Sequence, residues 1–322
     1  MEDVYRFASF PSFAGVPITP LAQLADDPPD VVIVGAPIDW GATYRGGARF
    51  GPKAIREADY LGADMVRPHL PTGIDPFKVL RVVDVGDIEV PPGYLEQGLD
   101  TLAATVETIA ASGAVPIVLG GDHSVTFGNG TGLARVHGDG TYGVVHFDAH
   151  ADTGMTNAGA LHGHGTPMRR LIESGAVPGD RFVQIGLRGY WPGPETVAWM
   201  AEQGMRTFLM SEIVERGLRP VVDDTVRAAS GSDSIGVFLS IDVDVVDPGM
   251  APGTGTPEPG GLTSRELLDT VRRLARELPI VGADMVEVSP PYDGPGQITA
   301  FLANRVVLEI LNGMAERKVG GS

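Results

Sequence analysis

The 322-residue chain has no cysteine. That excludes disulfides, thiol nucleophiles and thiolate metal sites, and it suits an intracellular protein. Basic side chains are scarce: 24 Lys and Arg stand against 41 Asp and Glu, a net charge of −17. Such acidity argues against nucleic acid or an anionic membrane as a partner. It is explained by solubility, or alternatively by a field that steers a cationic substrate. No GxxxxGK[ST] phosphate loop and no GxSxG elbow occur, so phosphate-cradle and serine-hydrolase chemistry have little support. "GDGTYG" (138–143) matches GxGxxG by letters but precedes a strand-like run, whereas a dinucleotide loop follows one. The segment "MEDVYRFASF" shows no basic stretch leading into an apolar one, and no run approaches the ~18 apolar residues of a spanning helix. The expectation is a soluble, cytoplasmic protein.

Apolar material is plentiful, 43% of residues against 20% charged, enough for a substantial core. Residues 1–29 are mixed and Pro-containing and are expected to form an N-terminal arm, with one domain over 30–322. Within that domain short β-rich runs alternate with helix-period segments. The strand candidates are 31–37, 80–85, 115–120, 142–147, 182–187, 206–210, 236–241 and 282–288. Helical periodicity marks 95–113, 263–278 with its Thr or Ser cap and early Glu, and 299–314. Strands apolar on both faces predict an α/β fold, a three-layer αβα sandwich around a mostly parallel eight-stranded sheet. Loop lengths are uneven, over forty residues after the first strand and under twenty after the fifth, which favours an open sheet over a TIM barrel.

In open parallel sheets ligands bind beyond the carboxyl ends of the strands. Unusual polar residues fall at those ends. "GGDHS" (120–124), with His123, follows the third strand, and "DAHAD" (148–152), with Asp148, His150 and Asp152, follows the fourth. "SIDVDVVDP" (240–248), with Asp242 and Asp244, follows the seventh, and "EVSP" (287–290), with Glu287, follows the eighth. Alternation along a strand lets Asp242 and Asp244 point together, and likewise Asp148 and His150. Converging carboxylates without cations would cost many kcal/mol in repulsion and desolvation, a cost that divalent metal removes. Five carboxylates and two imidazoles exceed the needs of one ion and suit two. Hard oxygen ligands with some imidazole and no sulfur favour Mn²⁺. Taken singly, "GDHS" is a capped turn and "DVD" a strand-end cap. The argument rests on the same placement recurring at several strand ends.

These motifs, in this order, resemble those of the ureohydrolase (arginase/agmatinase) family. "SIDVDVVDPGMAPGTGTPEPGG" (240–261) is a near-complete match to its longest motif, and "GATYRGGARFGPKAIRE" (41–57) and "QIGLRG" (184–189) are also similar. The likeness spans about residues 30–312 and is greatest to the agmatinase-type branch, which includes guanidinobutyrases and proclavaminate amidinohydrolases. It implies an arginase/deacetylase-like sheet and two Mn²⁺ per subunit. One ion would be held by His123, Asp148, Asp152 and Asp242, the other by Asp148, His150, Asp242 and Asp244. It also implies that Glu287 clamps the guanidinium, that Asp152 relays a proton to the leaving amine, and that His164 of "LHGHGTP" is a proton shuttle, with His162 the competing assignment. The implied partner is a small guanidino substrate, with agmatine (giving putrescine) first and 4-guanidinobutanoate, guanidinopropionate or a proclavaminate-type compound behind it. A homo-oligomer, hexamer or trimer, is implied as well.

Other polar residues are not promoted. His146 shares a strand face with Asp148 and is read as supporting the ligands or filling the core. His69 and His137 are read as surface residues. Tyr190 and Trp191 of "YWPGPE" either line the site entrance or pack structurally. Two competing classes are a metal-stabilised binding protein on a dead enzyme scaffold and a related deacetylase or formiminoglutamate hydrolase. The survival of Glu287 and His164 opposes the first; Asp244 and "APGTGTPEPGG" oppose the deacetylase.

Overall fold

The computed structural model of the chain describes residues 12–59, 66–231 and 233–321, so the first eleven residues of the expected arm lie outside it. All eight strand candidates form strands: β1 Val31–Ala36, β2 Val82–Asp87, β3 Val115–Gly120, β4 Gly143–Phe147, β5 Phe182–Leu187, β6 Arg206–Leu209, β7 Val237–Asp242 and β8 Ile280–Val286. They make one sheet in the order β2-β1-β3-β8-β7-β4-β5-β6, and every pairing is parallel. β2 and β6 are the outermost strands and do not pair with each other, so the sheet is open. Among the described residues ten α-helices connect and cover it: α1 Gly51–Glu57, α2 Pro76–Val79, α3 Leu95–Ala111, α4 Val125–His137, α5 Pro167–Glu173, α6 Pro194–Glu202, α7 Met210–Arg216, α8 Leu218–Ala229, α9 Ser264–Glu277 and α10 Ile298–Val319.

Strand alternation sorts the core into two layers. Val31, Ile33, Val145, Val183, Leu239 and Ile241 face α1 and α8 to α10, where Ile55, Val221, Leu267, Val271 and Val306 meet them. Val32, Val34, Val118, Val144, Phe182 and Phe238 face α3 to α5, where Leu99, Leu102, Leu133 and Leu171 complete the second layer. Apolar side chains on both faces are what a doubly covered parallel sheet requires. α9 begins with the anticipated cap: Thr263 accepts from the Glu266 backbone N–H while the Glu266 side chain takes the Thr263 N–H, an arrangement worth about 1 kcal/mol.

Two boundaries move for identifiable reasons. β2 starts at Val82 and not at residue 80, because the Leu80 N–H closes α2 onto the Pro76 carbonyl and the Arg81 N–H is taken by the Asp30 side chain. α10 runs five residues past 314, since Ala315 is still buried and Glu316 pairs with Arg272 of α9. α10 is long and apolar enough by composition to cross a membrane, with 67% of the apolar window buried inside the protein. A run-length criterion misses it because Asn304, Arg305, Glu309 and Asn312 interrupt it. His137 is the last residue of α4 and is half-buried, which lowers its pKa, and His69 is half-buried too; the surface reading of both is corrected.

The described part of the arm docks on the sheet. Phe13 is fully buried, its N–H donates to Asp84 Oδ2 at 2.8 Å, and Ile18 bridges to Asp84. Asp84 also receives the Arg56 guanidinium, Nε to Oδ2 at 2.8 Å and Nη2 to Oδ1 at 3.0 Å, so one buried carboxylate ties β2, α1 and the arm together. Replacing Arg56 with Met strands that carboxylate in the interior. The expected cost is about 3–5 kcal/mol of unfolding free energy, measured by urea denaturation; a loss below about 1 kcal/mol would show that the pair does not hold these elements.

Candidate active site

The four polar motifs follow β3, β4, β7 and β8, which are the four adjacent central strands of the sheet. Because all run in one direction, their carboxyl ends share one rim, and chain segments far apart in sequence meet there. Close approach needs glycine. A Cβ on Gly121 would lie 1.6 Å from the Ile38 carbonyl oxygen, so the turn after β3 can pass beneath the β1 loop only without a side chain.

His123, Asp148, Asp152, Asp242, Asp244 and Glu287 are all buried, and His150 is 23% exposed. His123 Nδ1 lies 3.1 Å from Asp148 Oδ2, 3.0 Å from Asp152 Oδ2 and 3.2 Å from Asp242 Oδ2. His150 Nδ1 lies 3.0 Å from Asp244 Oδ2 and 3.4 Å from Asp148 Oδ1. Two carboxylate–imidazole clusters therefore adjoin, with Asp148 common to both. Backbone N–H groups fix the remaining oxygens: His150 N–H donates to Asp148 Oδ1, Ala149 N–H to Asp244 Oδ1, and Asp244 N–H to Asp242 Oδ1. Asp152 sits at φ 50° and Glu287 at φ 61°, left-handed conformations that non-glycine residues rarely adopt and that recur at functional sites.

His123 Nδ1 and Asp244 Oδ2 are buried without a hydrogen-bond partner. Nitrogen and oxygen lone pairs facing one another at 3.0–3.2 Å are repulsive unless a proton or a metal lies between them, and this donor set fits a hard divalent cation. Without one, protons take its place. Burial lowers the His123 pKa, but Asp148, Asp152 and Asp242 outweigh it and push it well up. His150 rises likewise, burial being outweighed by Asp244 and Asp148. Asp242 is raised by burial and by the charges of Asp244 and Asp148.

His146 lies within ligand distance of His123 and Asp148, yet its proton inventory excludes coordination. Gln184 Nε2 donates to the Ala151 carbonyl at 2.7 Å, which fixes the orientation of that amide, and its other hydrogen meets His146 Nδ1 at 3.0 Å. His146 Nε2 thus carries the hydrogen and donates to Asp148 Oδ2 at 2.8 Å. It supports a ligand and is not one.

His164 and Glu287 complete the site. Glu287 Oε1 accepts from the His123 backbone N–H at 2.9 Å and lies 3.0 Å from His164 Nδ1. The far nitrogen of His164 meets Thr43, 2.7 Å from its hydroxyl and 3.1 Å from its N–H, a contact that sequence reasoning missed although Thr43 lies within the family-like 41–57 segment. His162 instead packs its ring on Phe127 at 4.9 Å. A cavity of about 280 Å³ adjoins the clusters, lined by His150, Asp152, His164, Asp242 and Glu287 together with Thr43, Thr156, Asn157, Trp191 and Thr256. Trp191 thus lines the cavity, and Tyr190 is fully exposed.

Burial lowers the His164 pKa, but the hydrogen bond to Glu287 more than offsets it and raises the value to about 9. A raised histidine pKa stabilises the fold below the ordinary value, and that contribution fades as pH rises through about 9. In metal-free protein, NMR titration should find the His164 pKa raised, and Glu287→Gln should return it toward about 6.5. An ordinary titration in the parent would contradict the pairing.

Residues 29–312 match the model of the arginase family. A guanidinopropionase of Pseudomonas aeruginosa is 40% identical over 96% of this chain and 95% of its own length. A mitochondrial agmatinase of Gallus gallus is 41% identical over 88% of this chain and 80% of its own. The solved structure of proclavaminate amidino hydrolase from Streptomyces clavuligerus superposes with a TM-score of 0.87 at 36% identity, covering 98% of this chain and all of that one. With the sheet order, the strand-end motifs and these likenesses together, the chain belongs to the arginase family.

Proposed function

We propose that this protein is a dinuclear manganese amidinohydrolase that releases urea from a linear guanidino acid. The observation that carries the reading is a single cavity in which two carboxylate–imidazole clusters sharing Asp148 lie beside Glu287. His123, Asp148, Asp152 and Asp242 would hold one ion; Asp148, His150, Asp242 and Asp244 would hold the other. Bound there, the ions supply a water of lowered pKa with a fixed direction of approach.

The chain's own residues do the rest. Glu287 is held as a carboxylate: burial would raise its pKa, but His164 and the His123 N–H outweigh it. A fixed, ionised carboxylate in a dry pocket pairs with the planar N–H edges of a guanidinium, which orients its carbon toward the clusters. Asp152 lines the same cavity and accepts the proton of the attacking water, then delivers it to the departing nitrogen. A C–O bond forms and the C–N bond to the chain of the substrate breaks; the second proton of the water, lost from the adduct's hydroxyl as urea forms, joins the relayed one on the departing nitrogen, which leaves as an ammonium. His164, bridging Thr43 and Glu287 at the mouth, exchanges protons between this pocket and solvent.

The rest of the cavity lining bears on the tail of the substrate. Thr43, Thr156, Asn157 and Thr256 offer neutral hydroxyl and amide groups, and the acidic residues of the lining, Asp152, Asp242 and Glu287, are those already assigned to the clusters and the guanidinium. Neutral donors satisfy a carboxylate tail, whereas an ammonium tail is served best by a carboxylate partner. The names of the guanidinopropionase and proclavaminate amidinohydrolase relatives support this order. Agmatine, the first choice on sequence, is the second reading here, favoured by the net charge of −17 and the avian relative's name.

Urea release should be assayed over 3-guanidinopropionate, 4-guanidinobutanoate, agmatine and arginine, with Mn²⁺ and with a chelator. The expected result is Mn²⁺-dependent urea from a guanidino acid, with kcat/KM at least about tenfold above agmatine. Urea from agmatine alone would reverse the tail assignment, and no urea from any of them in metal-loaded protein would overturn the reaction.

A further inference from the structure

One layer below the carboxylate–imidazole clusters the sheet carries a row of polar residues that the proposed reaction does not use. Thr207 of β6, Gln184 of β5, His146 of β4, Ser240 of β7 and Asp284 of β8 are successive register partners across five neighbouring strands. His146, Gln184, Ser240 and Asp284 are completely buried. Each lies where an apolar side chain would pack with no polar group to satisfy, as Val144, Phe182 and Phe238 do one pleat repeat earlier on the same face. One repeat later come Asp148 and Asp242. Along β4 and β7 that face therefore passes from apolar (Val144, Phe238) to polar (His146, Ser240) to ligand (Asp148, Asp242).

The row is joined to the clusters at two points. Gln184, itself held by Thr207 Oγ1 at 3.3 Å, fixes His146 so that its Nε2–H donates to Asp148 Oδ2. Ser240 Oγ lies 2.9 Å from His123 Nε2, the ring nitrogen opposite the one facing the carboxylates. Behind Ser240 stands Asp284, whose Oδ2 accepts from Thr126 Oγ1 at 3.0 Å and Asn129 Nδ2 at 3.3 Å of α4, and the Thr126 hydroxyl is 3.3 Å from Ser240 Oγ. Four buried polar groups in an otherwise apolar layer are costly unless they act on something. Partners that orient a ligating imidazole or carboxylate decide where its lone pairs point.

We infer that this transverse row is a set of positioning residues for the metal centre: Gln184 acting through His146 sets Asp148, and Ser240 backed by Asp284 sets His123. The inference rests on the metal reading above.

The test uses metal-free protein and reads Mn²⁺ affinity, from the EPR signal of free Mn²⁺, beside the melting temperature of the metal-free state. Gln184→Met and Ser240→Ala should each weaken Mn²⁺ binding by about 10–100-fold. Ser240→Thr, which keeps the hydroxyl, should restore the parent's affinity. Val145→Ala, on the opposite face of β4, should lower the melting temperature and leave the affinity unchanged. Row variants that bind Mn²⁺ within about twofold of the parent would overturn the proposal, as would a Val145→Ala affinity loss as large as theirs. If Gln184→Met does not fold, Ser240→Ala, the removal of a single hydroxyl, decides the matter. A parent that binds no Mn²⁺ overturns the metal reading itself, whereas equal binding by parent and variants overturns only the row.

Discussion

Buried negative charge is the constraint on which this structure depends. Asp148, Asp152, Asp242, Asp244 and Glu287 lie between 0 and 6% exposed around one small cavity. Carboxylates gathered like this repel one another and lose their hydration, and neither cost is met by the protein alone. Backbone N–H groups hold one oxygen of Asp148, Asp242 and Asp244, which fixes geometry but supplies only part of the compensating charge. The imidazoles of His123 and His150 supply a further part when protonated. A pair of divalent ions would do so more completely, and would turn an electrostatic liability into a device that orients water.

The scaffold makes that crowding possible. A parallel sheet puts every strand's carboxyl end on one rim, and placing β3, β8, β7 and β4 side by side brings their four polar ends into contact. Stability is drawn from elsewhere: two apolar layers cover the sheet, and the Arg56–Asp84 pair fastens α1 and the arm to its edge. Two of the left-handed non-glycine backbones, those of Asp152 and Glu287, lie within the site.

Much of this was legible in the sequence, for physical reasons. Period-two apolar runs mark buried strands, and a polar residue at the end of such a run is conspicuous, so the eight strands and the polar motifs at four of their ends are legible in the sequence alone. What the sequence hides is adjacency between distant segments. Chain order runs β3, β4, β7, β8, while the spatial order is β3, β8, β7, β4, and nothing local in the sequence encodes that rearrangement. The Thr43–His164 contact joins residues 121 apart, and Gln184 meets His146 only because β5 pairs with β4 in one register. Ser240 and Asp284 pass for ordinary strand residues until the sheet aligns them. The limits of β2 and α10 were hidden for the same reason, since Asp30 and Arg272, distant in sequence, help to set them.

The central claim is that two cations belong between these strand ends, with Asp148 between them. Anomalous diffraction from crystals of Mn²⁺-loaded protein, collected on both sides of the manganese edge, tests it most directly. The account predicts two peaks flanking Asp148, one beside His123 Nδ1 and one beside His150 Nδ1. A single peak, or none within coordinating distance of those nitrogens, would contradict it.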